Sequence, residues 1–133
     1  MAKVLGKNAV FKFNLVDLSA FVVDGRFAPS GDSHDVTTWG KAAHVYEGGL
    51  TDGTLDVNGL YDDAAAGPRA TLVPLVGQVK AFVWQPAGTG SGKPQTTGNA
   101  LLLGYEEAAP VAGFVTWTAR FQCSDTLTNA NQV

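Results

Sequence analysis

Ser33, His34 and Asp35 stand side by side and are the residue types of a hydrolytic catalytic triad. In a triad the hydroxyl, imidazole and carboxylate must converge in space, and adjacency in the chain does not orient them in that way. His44 is the only other histidine, and Asp32 and Glu47 lie nearby. An adventitious metal site is conceivable there, but neither a helical nor a zinc-type ligand spacing is present. We therefore predict that both histidines are ordinary surface or interface residues.

The segment Gly88–Lys93 (Gly-Thr-Gly-Ser-Gly-Lys) has the residue types that cradle the phosphates of a nucleotide. The phosphate-binding motif also requires a glycine five residues before its Gly-Lys pair and a serine or threonine after it. Ala87 and Pro94 occupy those two positions in this chain, and no amphipathic helix follows. The segment is therefore predicted to be a flexible or assembly loop.

Four carboxylates, Asp52, Asp56, Asp62 and Asp63, could suggest a calcium site or a pair of acid-base groups. Their spacing does not follow a helix–loop–helix calcium loop, and a glycosidase pair needs a geometry that sequence does not supply. Solvated turns and strand faces account for them. The sequence therefore predicts no catalytic, cofactor-binding or metal-binding residue and no cofactor, and we expect that the protein is not an enzyme.

Length and composition indicate one self-associating domain. The chain has 133 residues, of which only 16% are charged, against roughly 25% in ordinary soluble domains. A weakly charged surface suits burial against partners. The net charge is −3, and no two of the nine basic residues adjoin in sequence. Binding to a phosphate backbone needs clustered basic residues, so we expect no specific nucleic-acid binding.

The sequence shows no recognisable targeting segment and contains a single cysteine. No apolar run is long enough for a membrane span, and no secretory signal pattern opens the chain, so we expect a soluble protein that stays where it is made. Cys123 is the only cysteine, which excludes an internal disulfide. We expect it to be a small buried apolar residue.

Alternation of apolar and polar residues with period two predicts strands that bury one face. At least five such segments are present: Ala9–Leu15, Leu55–Tyr61 after an Asp52-Gly53 turn, Gln78–Gln85, Ala100–Glu107 and Val115–Cys123. A helix is predicted to begin at Asp62–Ala66, with a helix over Pro68–Val73 as the alternative. Asp24–Trp39 and Ala87–Gly98 are rich in turn residues and are predicted to be long loops.

Two stretches carry a recognisable pattern: Asp35–Lys41 (Asp-Val-Thr-Thr-Trp-Gly-Lys) and Gly49–Asp62 (Gly-Leu-Thr-Asp-Gly-Thr-Leu-Asp-Val-Asn-Gly-Leu-Tyr-Asp). They resemble the tail tube (major tail) proteins of long-tailed, siphovirus-like bacteriophages. In that family a loop ending in Asp-x-Thr-Thr-aromatic-Gly leads toward a Gly-Leu-x-Asp-Gly strand. The later strands also follow the order of the family, so the resemblance spans roughly residues 8–126.

The resemblance implies a mostly β fold, a small β-sandwich or partly closed barrel with one short flanking helix and long assembly loops. Residues 1–133 would form a single domain, with residues 1–8 and 126–133 as terminal segments. The subunits would form hexameric rings that stack into a tail tube, assembled in the host cytoplasm and carried in the virion. The implied partners are other copies of the chain, the tape-measure protein, the tail terminator and baseplate proteins. DNA would pass through the lumen without specific binding, and Asp56 is a candidate lumen residue.

Two other functions remain open from the sequence alone. A capsid decoration or head-tail joining protein could also be a small β-rich domain that self-associates. A ligand-binding β-sandwich would instead use exposed aromatic side chains such as Trp39 and Trp84 as a platform.

Assembly contacts are expected in segments that are polar, glycine-rich or terminal: Met1–Asn8, Asp24–Trp39, Ala87–Gly98 and Thr126–Val133. Trp39 and Tyr46 are interface candidates, although a place in the core is equally open for each. Trp117 lies on the apolar face of its strand and is expected to be buried.

Overall fold

The computed structural model describes residues 3–133 and is mostly β. Its only α-helix within that range, α1, spans Pro68–Leu72 and is followed by a 3-10 turn at Val73–Leu75. Two further 3-10 turns cover Gly6–Asn8 and Ser19–Phe21. The strands are β1 (Val10–Phe13), β2 (Val16–Asp17), β3 (Val22–Asp35), β4 (Tyr46–Leu60), β5 (Val79–Gln85), β6 (Pro94–Ala108) and β7 (Thr116–Asn131).

The seven strands form one antiparallel sheet in the order β2-β1-β5-β6-β7-β4-β3. Strands β5 and β6 separate β1 from β7, yet the rings of Phe11 and Phe13 on β1 lie 5.4 and 4.8 Å from the ring of Phe121 on β7. The sheet must therefore curl over a shared core. Its terminal strands are not hydrogen-bonded to each other, so the barrel is only partly closed. The predicted mostly β fold with one short helix is confirmed.

The core consists of side chains from alternate positions of the strands. On β7, Trp117, Ala119, Phe121 and Cys123 are buried while the residues between them are more exposed. The register places Leu55 and Val57 of β4 opposite Phe121 and Ala119, and Leu102 of β6 lies on the other side of Phe121. Each large apolar side chain buried in this way stabilises the fold by about 1.5–3 kcal/mol. The predicted burial of Trp117 and Cys123 is confirmed.

One end of the barrel is closed around Trp117. Its ring nitrogen donates hydrogen bonds to the carbonyl oxygens of Leu60, at 3.1 Å, and Phe21, at 3.3 Å. Phe21 can approach because Gly59 faces it: a Cβ at position 59 would lie 2.8 Å from the Phe21 carbonyl carbon and 2.9 Å from Val22 Cα. This glycine lets the Ser19–Phe21 turn pack directly on β4.

Three local predictions were wrong. Leu15 does not continue β1, because Asn14 and Leu15 both have positive φ and form a two-residue hairpin turn into β2. The Asp52-Gly53 turn is absent, since both residues lie inside β4. The helix does not begin at Asp62–Ala66: the Asp62 carboxylate accepts a hydrogen bond from the Ala64 amide in a turn, and the helix begins at Pro68, as the alternative stated.

The two segments predicted as long loops are shorter than expected. Asp24–Trp39 is strand β3 as far as Asp35, and Ala87–Gly98 becomes strand β6 at Pro94. The polar segment Thr126–Asn131 likewise continues β7. Residues 29–35 and most of Thr126–Asn131 pair with a neighbouring strand while exposing both faces, and the buried residue of Pro94–Gly98 is the polar Thr96, so these segments lack the apolar alternation that identifies a strand that buries one face. Of the predicted N-terminal segment, residues 1–2 lie outside the described residues. Within residues 3–133 no helix has the length and apolar character needed to span a membrane.

Candidate functional site

Strands β3 and β4 continue beyond the barrel as a two-stranded ribbon. The pairing of β4 with β7 ends at Thr54, whereas its pairing with β3 continues to Tyr46 opposite Asp35. All residues from 29 to 52 are exposed, and we name this segment the arm. At about 3.3 Å per residue, the arm extends on the order of 20 Å from the barrel before its terminal loop.

The loop at the end of the arm, residues 36–45, is named the arm tip and has its own hydrogen-bond network. The Asp35 carboxylate accepts hydrogen bonds from the Thr37 hydroxyl at 2.6 Å and the Thr37 amide at 2.9 Å. The Thr37 hydroxyl oxygen in turn accepts from the Val45 amide at 2.8 Å. These bonds from Thr37 hold the pKa of Asp35 below its usual value, with a smaller contribution from His44. The tip is therefore an ordered loop.

Trp39 projects from this ordered tip and is fully exposed. Tyr46, at the base of the tip, is 60% exposed, and its ring lies 6.1 Å from that of His44. Of the two possibilities left open for these aromatics, the structure excludes the core for both. A large aromatic ring that is held out in solvent is a typical anchor of a protein interface.

The structure does not assemble a triad from Ser33, His34 and Asp35. Successive side chains of a strand point to opposite faces, so His34 is directed away from its two neighbours. His34 instead lies over Gly49 of β4, while an oxygen of the Asp35 carboxylate lies 3.4 Å from His44 Nδ1. Among residues 3–133 no group of three histidine, cysteine or acidic residues is placed to hold a metal ion.

The glycine-rich loop Gly88–Lys93 uses its polar groups within the chain. The Gly90 amide donates to the Gln132 side chain at 3.1 Å, and the Gly92 amide donates to the Gln132 carbonyl at 2.8 Å. The Gln132 side chain donates back to the Gly88 carbonyl at 2.8 Å. Amides that a phosphate-binding loop would direct at a ligand are thus paired with the C-terminal segment. This loop fastens the end of the chain to the barrel.

The carboxylates considered as acid-base or calcium groups have structural surroundings instead. Asp52 accepts a hydrogen bond from the Gln122 side chain. The pKa of the Cys123 thiol is raised first by burial of the thiol and second by the negative charge of Asp52. Asp56 faces outward from the sheet, and in the register its cross-strand neighbours are Arg26 and Arg120. Two basic residues therefore occupy the strand positions that flank Asp56.

An open cleft of about 600 Å³ lies along the seam of the barrel, between β1 and β3. Trp84 lines it, half-buried against the core, with its ring over Gly25. Trp39 is not among its lining residues and lies on the arm tip instead. The two tryptophans proposed as a common platform for a ligand therefore occupy separate regions.

The helix α1 is fastened to the barrel by a polar cluster. Arg69 of α1 forms an ion pair with Glu107 of β6, and the Tyr105 hydroxyl donates to the other Glu107 oxygen at 3.1 Å. Burial, followed by this bond to Glu107, raises the pKa of Tyr105 well above its usual value. Tyr105 also stacks on Trp117, with ring centroids 6.2 Å apart. The cluster stabilises the end of the barrel nearest the loop between β6 and β7.

That loop, residues 109–115, forms an exposed apolar surface together with the last residue of β6, Ala108, and the sequence patterns did not reveal it. The residues of this surface are Ala-Ala-Pro-Val-Ala-Gly-Phe-Val, and none of them has a polar side chain. Val111 is fully exposed and Phe114 is 82% exposed. We name residues 108–115 the end loop. An unbroken apolar run containing Pro110 and Gly113 between two strands was the available signal, because turn residues predict a loop and loops lie on the surface.

No protein-family model and no curated protein matches the chain. Solved structures do match its fold. A chain of the virion of a native gene transfer agent particle superposes with a TM-score of 0.80 at 19% identity, over 97% of this chain and 99% of that chain. The tail of an empty gene transfer agent particle, refined with C6 symmetry, gives 0.76 at 17% identity, over 96% and 99%.

The SPP1 tail tube gives a TM-score of 0.76 at 10% identity, over 98% of this chain and 81% of that chain. Such low identities show a shared fold, and the coverage shows that the fold is shared from end to end. The fold expected from the resemblance to tail tube proteins is therefore confirmed.

Proposed function

We propose that this chain is a structural subunit of a virion tail tube, in which hexameric rings stack around a channel for the genome. The observation that carries the proposal is the end-to-end similarity of fold to the SPP1 tail tube and to a gene transfer agent tail with C6 symmetry. A domain that shares its whole fold with these subunits has the same surfaces available for assembly. Identity is low, so the support comes from shape.

The surface of the chain fits an assembly role. Solvent-exposed large apolar residues include Trp39 and Leu50 on the arm and Val111 and Phe114 on the end loop. Exposed apolar clusters on a domain of this size mark interaction sites. The proposed role is structural and non-enzymatic, and it requires no catalytic, cofactor-binding or metal-binding residue.

DNA is proposed to pass through the channel without specific binding. The net charge is −3; an acidic lining would repel phosphates, and a neutral lining would not attract them. Residues 1–133 would act as one tail-tube-like domain. Tape-measure protein would lie inside the tube, with the tail terminator and baseplate at its ends. Assembly would take place in the host cytoplasm and yield a virion component.

Negative-stain electron microscopy over a concentration series, combined with light scattering for mass, tests this function. We expect rings with six-fold symmetry and a central channel, and tubes built from such rings at higher concentration. Particles that decorate capsids without forming rings would favour the capsid decoration protein. A chain that stays monomeric throughout the series would contradict the proposal.

A further inference from the structure

The cleft between β1 and β3, which we name the seam cleft, is a recess with mainly apolar walls. Its apolar lining residues are Val10, Phe11, Val22, Val23, Trp84 and Pro86, and its volume is about 600 Å³. Recesses of about 300–1,000 Å³ with apolar walls are the usual shape of a binding site. The two terminal strands of the sheet are not hydrogen-bonded to each other, so the seam cleft opens on the side of the barrel.

The end loop has the opposite shape, since it presents apolar side chains outward from a turn. The Gly113 amide donates a hydrogen bond to the Pro110 carbonyl at 3.4 Å, so the loop is shaped before it meets a partner. Val111 and Phe114 are exposed, and neither side chain therefore fills the seam cleft of its own copy. Exposed apolar clusters of this kind mark interaction sites.

The charged residues around the two surfaces differ in net sign. Four carboxylates and two guanidinium groups lie around the end loop: Asp62, Asp63, Glu106, Glu107, Arg69 and Arg120. Four basic groups and three carboxylates lie in or beside the seam cleft: Lys3, Lys7, Lys12, Arg26, Asp17, Asp24 and Asp56. The end loop thus has a net negative border and the seam cleft a net positive one. Opposite borders favour contact between the two surfaces and disfavour the contact of either surface with its own kind.

We propose that the end loop of one copy inserts into the seam cleft of a neighbouring copy in the same ring, where Val111 and Phe114 pack against Val23 and Trp84. This inference rests on the proposed function and names the lateral contact that closes the ring. Two different surfaces meet, and such a heterologous contact forms a closed ring when its rotation divides a full turn. Because the seam cleft opens on the side of the barrel, the inserted copy lies beside the first copy rather than on its end.

One variant on each surface tests the contact. Phe114→Ser removes the aromatic anchor, and Val23→Asp places a carboxylate in the seam cleft, where it would meet the acidic border of the end loop. Leu15→Ser and Leu15→Asp are the matched controls, because Leu15 is 90% exposed on the turn between β1 and β2 and belongs to neither surface. Urea unfolding of the dilute chains would verify that all four variants fold.

Sedimentation and electron microscopy would then measure ring formation against concentration. Loss of a central anchor should raise the concentration required for half-maximal ring formation by at least about 30-fold in Phe114→Ser. Val23→Asp should shift it in the same direction. Both Leu15 variants should form rings as the unaltered chain does.

A disulfide bond between copies would locate the contact independently. Val23→Cys and Ala112→Cys in one chain place one thiol in the seam cleft and one on the end loop, while the native Cys123 is buried. After oxidation by air, a non-reducing denaturing gel should show a ladder of linked chains. The ladder should end at six chains, as in a ring with C6 symmetry. Leu15→Cys with Ala112→Cys should give no ladder.

Rings that form as readily with Phe114→Ser as with Leu15→Ser would overturn the contact while leaving the proposed function standing. A missing ladder would do the same, as would a ladder that ends at two chains, which indicates a closed dimer, or one that runs beyond six, which indicates a contact between rings. If the unaltered chain forms neither rings nor tubes, the proposed function itself is wrong. The two failures are therefore distinguishable.

Discussion

Gly59 should be the glycine of β4 that tolerates substitution least. A Cβ at this position would lie 2.8 Å from the Phe21 carbonyl carbon and 2.9 Å from Val22 Cα, with the Phe21 oxygen closer still. These are backbone atoms, so no side-chain rotation can relieve the contact. At Gly48, on the same strand, an added Cβ would have no other atom within 4 Å. The same substitution at the two sites therefore differs only in what the methyl group meets.

The cost of Gly59→Ala follows from what must move. Displacing the Ser19–Phe21 turn disturbs the pairing of Val22 with Gly59 and the hydrogen bond from Trp117 to Phe21. One hydrogen bond contributes about 1 kcal/mol, and overpacking costs about 1–3 kcal/mol. With a second backbone bond disturbed, we expect a loss of about 3–5 kcal/mol in all. Domains are typically stable by about 5–15 kcal/mol, so the loss is large.

Urea unfolding of the dilute, unassembled chain, followed by tryptophan fluorescence, would measure this difference. Gly48→Ala should leave the free energy of unfolding unchanged or raise it by less than about 1 kcal/mol, because alanine restricts the unfolded chain. Similar unfolding midpoints for the two variants would refute the close approach of Phe21 to β4 as the reason for glycine at position 59.

Two further predictions concern the core and the arm. Trp117→Phe should lower the free energy of unfolding by about 2–3 kcal/mol, because it leaves a cavity and removes both hydrogen bonds of the ring nitrogen. Trp39→Phe on the exposed tip should change the free energy of unfolding by less than about 0.5 kcal/mol. Urea unfolding would compare the two variants. The pKa of Asp35 is lower in the folded chain than in the unfolded chain, where it is about 4. The Asp35 carboxylate therefore stabilises the tip fully at pH values above about 4, and this stabilisation is lost as the pH falls through the folded pKa. Amide exchange at Thr37, corrected for the intrinsic effect of pH on exchange, should therefore show less protection in acid, while Asp35→Asn should remove that pH dependence. Equal protection of the Thr37 amide from exchange at about pH 2 and at about pH 7 would contradict this role of Asp35.

The strands of the core could be predicted from the sequence because each of them buries one face, whereas their closure into a barrel was implied only by the resemblance to tail tube proteins. Phe11 and Phe13 on β1, and Trp117 and Phe121 on β7, recur at even spacings, and the pleat of a strand turns that spacing into a common core face. The position of the helix was ambiguous. Acidic residues suit the first turn of a helix, but at Asp62 the carboxylate forms a local turn, and the fixed φ of Pro68 determines where the helix begins.

The arm could not be predicted in this way. Its residues pair only with each other and meet solvent on both faces, so hydrophobic alternation has no physical cause there. Glycine, proline and aspartate in Asp24–Asp35 then predict a loop, although the backbone groups are paired strand to strand. The end loop was missed for the opposite reason, since Val111 and Phe114 are apolar residues that a core would also contain. Only the fold shows that they face solvent.

Strand β3 disfavours binding along the side of the arm. It is an edge strand of 14 residues, and an exposed edge of that length would pair with other chains if it were flat and apolar. Instead Pro29 removes one backbone donor, two register shifts interrupt the ladder, and Asp24 and Asp32 add negative charge. These features oppose strand addition along the edge. Residues 36–45 contain neither proline nor a carboxylate side chain, so the chain leaves Trp39 as the part of the arm that is free to bind.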